Sequence, residues 1–111
     1  MSEPLLQITT TTSTQEEGLL IARALVDQAL VACAQLSGPI LSVYTWQGDR
    51  CEEQEYRLTL KTRGSLFKAV QQKIQQLHSY QVPQIIAVLI ERSSQPYEDW
   101  LLTQTQPTTE Q

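Results

Sequence analysis

Along the chain, the spacing of apolar residues switches twice from the two-residue repeat of a strand to the three-and-four repeat of a helix. That order leaves few folds open. Leu5-Leu6-Gln7-Ile8-Thr9-Thr10-Thr11-Thr12 is rich in β-branched side chains and reads as a first strand. Ser13 stands three residues before Glu16, the spacing of a capping box. Leu19, Ala22, Leu25, Val26, Ala29 and Leu30 then share one helical face. They predict a helix over about 14–30 despite Gly18, which costs of order 1 kcal/mol relative to alanine. Ala32–Trp46 reads as strand, with a bulge, a bend or a division into two shorter strands at Ser37-Gly38-Pro39, because proline cannot donate to a ladder. Gly48-Asp49 signals a turn, after which Tyr56, Leu58 and Leu60 alternate with Arg57, Thr59 and Lys61 in the period of a half-buried strand. Ser65 is placed to cap a second helix whose Phe67, Val70, Ile74 and Leu77 share a face. Ile85–Ile90 is apolar without interruption, which predicts a central strand covered on both faces. Tyr97, Trp100 and Leu101 predict a short terminal helix, and the polar residues 104–111 are expected to fray.

Strand, helix, strand, strand, helix, strand is the βαββαβ order of a ferredoxin-like α+β fold, with both helices on one face of a four-stranded antiparallel sheet. At 111 residues the chain fits a single domain, 1–111, burying about two thirds of its unfolded surface. The hairpin from about 40 to 62 is longer than two helices can cover. Its far end, carrying Tyr44, Trp46 and Tyr56, would project with exposed aromatics and unpaired edge amides, a liability that a cyclic oligomer would remove. Eight Lys plus Arg against twelve Asp plus Glu argue against a nucleic-acid or anionic-membrane surface. No apolar run approaches the roughly 20 residues of a membrane helix. Met1-Ser2-Glu3-Pro4 does not read as a signal peptide, and Cys33 and Cys51 show no paired spacing, so two reduced thiols in the cytoplasm are expected. A single histidine leaves little general acid–base machinery, and no nucleophile set, metal-hydrolase motif or glycine-rich cofactor loop is present, so no catalysis is expected.

The segments Ala29–Leu36, Ser42–Gly48, Glu52-Glu53, Lys61-Thr62 and His78–Ile86 occur in the order and spacing of a known family. Over about residues 5–102 the chain resembles the CutA divalent-cation tolerance proteins. The resemblance implies a cytoplasmic homotrimer of ferredoxin-like subunits, related in architecture to the PII signalling trimers. It also implies an association with tolerance of copper and other divalent metals, without established catalysis. The chain departs from the family pattern at Thr45, where a second aromatic is frequent, and at Ser79, where proline is usual. It departs again at Gln84, where glutamate is common; an amide there is a poorer metal ligand than a carboxylate. Thr9–Thr12 holds no cysteine, which some members place in the first strand.

Several groups could carry chemistry. Cys33 is a candidate ligand for copper because thiolate favours Cu(I), yet it lies among small apolar residues where a buried thiol simply packs. His78 is the one imidazole, suited to a helix terminus in one chain or to a metal site shared between three. Glu52, Glu53 and Glu55 flank the hairpin turn, but successive strand residues face opposite ways, so a solvated strand end is the expectation. Lys61-Thr62-Arg63-Gly64-Ser65, between strand and helix, serves either as turn and cap or as an anion cradle. By analogy with PII-like trimers, an inter-subunit cleft would be lined by Trp46, Lys61, Tyr80 and Gln84. The leading expectation is a trimeric binding protein in divalent-cation homeostasis acting through Cys33 and His78. The alternatives are a sensor of a small anionic metabolite and a purely structural trimer.

Overall fold

The computed structural model describes residues 3–107. Strand β1 (Leu5–Thr12) leads to helix α1 (Gln15–Asp27), then β2 (Cys33–Trp46) and β3 (Asp49–Arg63). A 3-10 turn (Gly64–Leu66), α2 (Phe67–Leu77), β4 (Ile86–Ile90) and α3 (Gln95–Gln104) follow. The strands form one antiparallel sheet in the order β2-β3-β1-β4, as the ferredoxin-like reading requires. Ile8, Leu58 and Leu60 project from one face against Ile21 and Leu25 of α1 and Val70 and Ile74 of α2. Each of these side chains is fully buried, a gain of about 1.5–3 kcal/mol apiece over exposure. Leu5 projects oppositely to Ile8 and packs with Ala32 against Leu101, which puts α3 on the other face.

The helix ends follow local chemistry more closely than the apolar stripe. Thr14, not Ser13, caps α1, its Oγ1 accepting from the Glu17 amide at 3.1 Å, while the Thr12 hydroxyl donates to the Thr14 carbonyl and tightens the turn. The stripe runs on to Leu30, but α1 ends at Asp27. Gln28 is the C-cap, and Ala29 takes a left-handed conformation with φ 56°. The Ala29 amide bonds the Val26 carbonyl and the Leu30 amide bonds the Leu25 carbonyl, with Leu25 and Leu30 both in the core. This is the Schellman arrangement with alanine where glycine usually stands. Ala29→Gly is therefore expected to raise stability by about 0.5–1 kcal/mol in urea melts, the left-handed penalty outweighing the flexibility gained by the unfolded chain. A midpoint that stays put or falls would contradict that account.

Ser65 does not cap α2. It lies in the 3-10 turn, and Leu66 precedes the helix with no side-chain cap. Strand β2 is continuous, with a bulge between Ser37 and Ile40 at the cis Gly38-Pro39 bond. Gly38 has φ +142°, and a Cβ there would lie 2.9 Å from the Tyr56 ring and 3.1 Å from the Glu55 carbonyl, so only glycine fits. The last β1 rung is Thr12 with Tyr56, and beyond it Ile40–Trp46 and Asp49–Glu55 continue as a two-stranded arm. The turn is Gln47-Gly48, both left-handed as in a type I′ hairpin, and Asp49 already belongs to β3. The arm stretches the molecule to 46 Å against 27 and 24 Å, and its radius of gyration, 14.8 Å, exceeds the about 13 Å expected of a compact chain this long.

Three expectations change. Strand β4 is an edge, not central: α1 and α2 cover β1 and β3, and Ile86, Val88 and Leu89 are more than half exposed in the single chain. Tyr44 and Trp46 do project from the arm, but Tyr56 lies half-buried at its root beside Gly38. The tail is held as far as it is described, since Thr105 is buried and Gln106 bonds the Ala29 carbonyl through its amide and the Gln28 carbonyl through its side chain. The rest of the frayed stretch, 108–111, lies outside the described residues. Among the described residues no helix is long and apolar enough to cross a membrane.

Candidate functional site

Where the arm leaves the sheet, the segment after α2 crosses the end of β1 and encloses a cleft of about 610 Å³. Thr11, Ser42 and Glu55 line it from the strands, Tyr44 and Trp46 from the arm, and Tyr80, Gln81, Val82 and Gln84 from the loop. The bulge at 37–40 sets this up, because its extra residue puts Ile40, not Pro39, opposite Glu55 and thereby brings Ser42, Tyr44, Trp46 and Glu55 to one face.

Glu55 is the centre of this site. It is only 6% exposed. Tyr80 Oη donates to its Oε2 at 2.6 Å, Ser42 Oγ to its Oε1 at 2.7 Å, and Thr11 Oγ1 to its Oε2 at 3.3 Å. Burial pushes the Tyr80 phenol well above its usual range, and the bond to the Glu55 carboxylate pushes it further, so the hydroxyl keeps its proton and donates. Tyr44 is raised too, by burial and then by Glu53, Cys51 and Glu55. Among the described residues Glu55 is the only formally charged one lining the cleft, and no Lys or Arg does so.

His78 is a peg rather than an open ligand. Its side chain is wholly buried, Nε2 lies 2.7 Å from the Thr11 carbonyl and Nδ1 accepts from the Tyr80 amide at 3.1 Å. A carbonyl needs a donor and an amide needs an acceptor, so these two bonds together call for the tautomer with its proton on Nε2, and Nδ1 also lies 3.4 Å from Glu17 Oε2. The His78 ring centroid lies 4.7 Å from that of Tyr80, the two rings tilted by 47°, fixing the residue that bonds Glu55. Glu17 anchors the next position, accepting from the Ser79 amide at 2.7 Å and the Ser79 hydroxyl at 3.0 Å. A proline at 79 would lack both donors.

Of the cleft residues expected from the sequence, Trp46, Tyr80 and Gln84 come together and Lys61 does not. Lys61 pairs across from Gln7, six residues along β3 from Glu55, and donates to Gln35 at 2.9 Å. Cys33 is half-buried opposite Lys61, four rungs (about 13 Å along the strand) from the level of Thr11 where His78 is held. One chain thus does not bring Cys33 and His78 to one ion, and with both His78 nitrogens bonded the pair does not fit a copper centre within the subunit. Among the described residues no group of three or more His, Cys, Asp or Glu is placed to hold a metal. Cys51 is a free thiol near the arm's turn.

Of the two readings of 61–65, turn and cap or anion cradle, the cradle is filled from within. The Ser65 amide donates to Glu3 Oε1 at 2.9 Å and Arg63 pairs with Glu3 Oε2 at 3.2 Å. Arg63 also donates to the Leu102 carbonyl and to Thr105 Oγ1. Sequence reasoning missed Glu55, which it placed at a solvated strand end. The signal was there in part: Glu55 falls on the parity opposite Leu58 and Leu60, the face that the loop covers.

The family model described as CutA1 divalent ion tolerance protein matches residues 6–104. The divalent-cation tolerance protein CutA of Thermus thermophilus is 37% identical over 86% of this chain and 92% of its own length. Protein CutA of Mus musculus is 37% identical over 73% of this chain, which spans about half, 46%, of that relative. The solved Thermus thermophilus protein superposes with a TM-score of 0.89 at 34% identity, covering 92% of this chain and 99% of that one. CutA1 of Oryza sativa gives 0.91 at 31%, covering 95% and 96%. A match across nearly every described residue, in sequence and in fold alike, settles the lineage: the chain belongs to the CutA1 divalent ion tolerance family.

Proposed function

We propose that the chain works as a homotrimer in divalent-cation tolerance, as a binding protein rather than an enzyme, with copper as the candidate cargo. One observation carries the assembly: the sheet has two unpaired edges, a short apolar one at β4 and a long one at β2 that runs into the projecting arm. Joining the β2 edge of one copy to the β4 edge of the next is a heterologous contact that closes into a ring, and it covers Val88, Leu89 and the arm's exposed Leu41 and Val43. Family membership supports the role in cation tolerance. Because one subunit does not gather a ligand set, the cation would be met by groups from more than one copy.

Size exclusion with light scattering is expected to give about three times the 12.6 kDa chain mass. Trp46→Asp, placing a charge on the arm, is expected to weaken assembly at least tenfold. A stable single-copy species at micromolar concentration overturns the ring. Copper titration by calorimetry tests the cargo separately. If the half-buried thiol is a ligand, Cys33→Ala weakens binding at least tenfold, and an unchanged isotherm removes it.

A further inference from the structure

We propose that the cleft at the root of the arm binds a small organic primary ammonium ion, with its N–H groups on Glu55 and its carbon body against Trp46. The inference rests on the cleft that one chain forms; Trp46 also lies on the arm engaged in the proposed ring, so the oligomeric state is measured beside the titration. Its first support is charge. Glu55 is more than nine-tenths buried, and its three protein partners, Thr11, Ser42 and Tyr80, are all neutral. The carboxylate is therefore solvated but not neutralised, a state that costs free energy until a cation arrives. Glu53, on the same face of β3, adds to the negative field felt by Tyr44 and Tyr80. Arg57, the next β3 residue on that face, is exposed and makes no ion pair with Glu55, while Arg50 pairs with Glu52 at 3.4 Å.

The second support is hydrogen-bonding capacity. A carboxylate offers about four acceptor directions. Oε2 uses two, on Tyr80 and Thr11, and Oε1 uses one, on Ser42, which leaves one on Oε1 for an incoming N–H. The third is the wall. Trp46 and Tyr44 stand two residues apart on one face of the arm, and Trp46 is 40% exposed, an aromatic surface that attracts alkylammonium groups. Gln81 and Gln84 offer amide oxygens and amide N–H groups to a second polar substituent, and Gln84 adds no charge of its own. An anion would meet a buried carboxylate with no cation to offset it. A divalent ion would find one carboxylate already three-quarters occupied, where it needs several hard oxygens.

The chain has two tryptophans, so its two indole N–H signals report the site and a control at Trp100. Titrating the 15N-labelled full chain with 2-phenylethylammonium chloride at neutral pH is expected to shift the Trp46 signal saturably and leave Trp100 in place. The neutral counterpart 2-phenylethanol should bind at least tenfold more weakly, and citrate should not bind. Glu55→Gln keeps the shape of the acceptor but removes its charge, and should weaken 2-phenylethylammonium at least tenfold. Should that variant lose its folded spectrum, Trp46→Leu on the exposed arm is read instead through the Tyr44 amide, with a loss of similar size expected. Equal binding of 2-phenylethanol, binding of citrate, a Trp46 shift with copper chloride but none with the ammonium ion, or unchanged affinity in the variant each overturns the proposal.

Discussion

Replacing His78 by alanine is expected to destabilise the metal-free protein by roughly 3 kcal/mol. The substitution strands the Thr11 carbonyl and the Tyr80 amide, and each unpaired buried group costs about 1–3 kcal/mol. It also empties the space under the Tyr80 ring, where a cavity adds to the cost. Urea denaturation in the presence of a chelator measures the loss, and a fall of less than about 1 kcal/mol would show that the ring is not the peg described. The result bears on copper as well. Weak metal binding by a His78→Ala variant would follow from a displaced Tyr80 and Glu55 even if the imidazole never touched a metal, which is why Cys33→Ala is the cleaner test of ligation.

Arg63→Ala should cost about 2–3 kcal/mol. The guanidinium joins three pieces of chain, accepted by the Glu3 carboxylate, the Leu102 carbonyl and the Thr105 hydroxyl. Its side chain is 12% exposed and that of Glu3 is 25%, so the pair lies between a surface bridge of about 0–1 kcal/mol and a buried one of about 3–5. The accompanying pH dependence has a definite sign. Burial pushes the Glu3 carboxyl up, but the Ser65 amide and hydroxyl and then Arg63 outweigh it and hold the group below its ordinary 4.5. Stability from this contact is therefore complete above about pH 4.5 and lost as pH falls through the lower folded value. Melts from pH 7 to pH 3 should show the gap between wild type and Arg63→Ala narrowing on the acid side. A gap independent of pH would mean that the ion pair contributes nothing.

Local periodicity made the element order, the core faces of α1 and α2 and the projecting arm legible, because each is set by spacing along a short stretch. The cap of α1 lies one residue beyond the capping-box spacing: Ser13 and Thr14 both carry an acceptor hydroxyl, and the Thr12 contact to the Thr14 carbonyl favours Thr14. The apolar run at 85–90 was read as central because covered strands are apolar on both faces. The same composition arises at an edge, where the cover must come from outside the subunit. Trp46, Tyr80 and Gln84 line one cleft of the single chain whereas Lys61 stands away from it, since reach along a strand depends on rung number and not on kinship of motif. His78 does stand at the end of α2, but its burial and that of Glu55 escape the spacing of the sequence for one shared reason. Their burial depends on how residues 78–85 cross the sheet, and a chain's path between elements leaves no trace in the spacing of either.

The grip of Arg63 on both Glu3 and Leu102 has an architectural corollary. The two extremities of the fold meet within the span of one side chain, so a brief peptide bridge would join them without disturbing the sheet. A circularly permuted chain opened between Gln47 and Gly48 would retain all four strands and all three helices. It would convert the arm from a closed hairpin into two separate tongues, leaving the cleft dependent on their pairing alone.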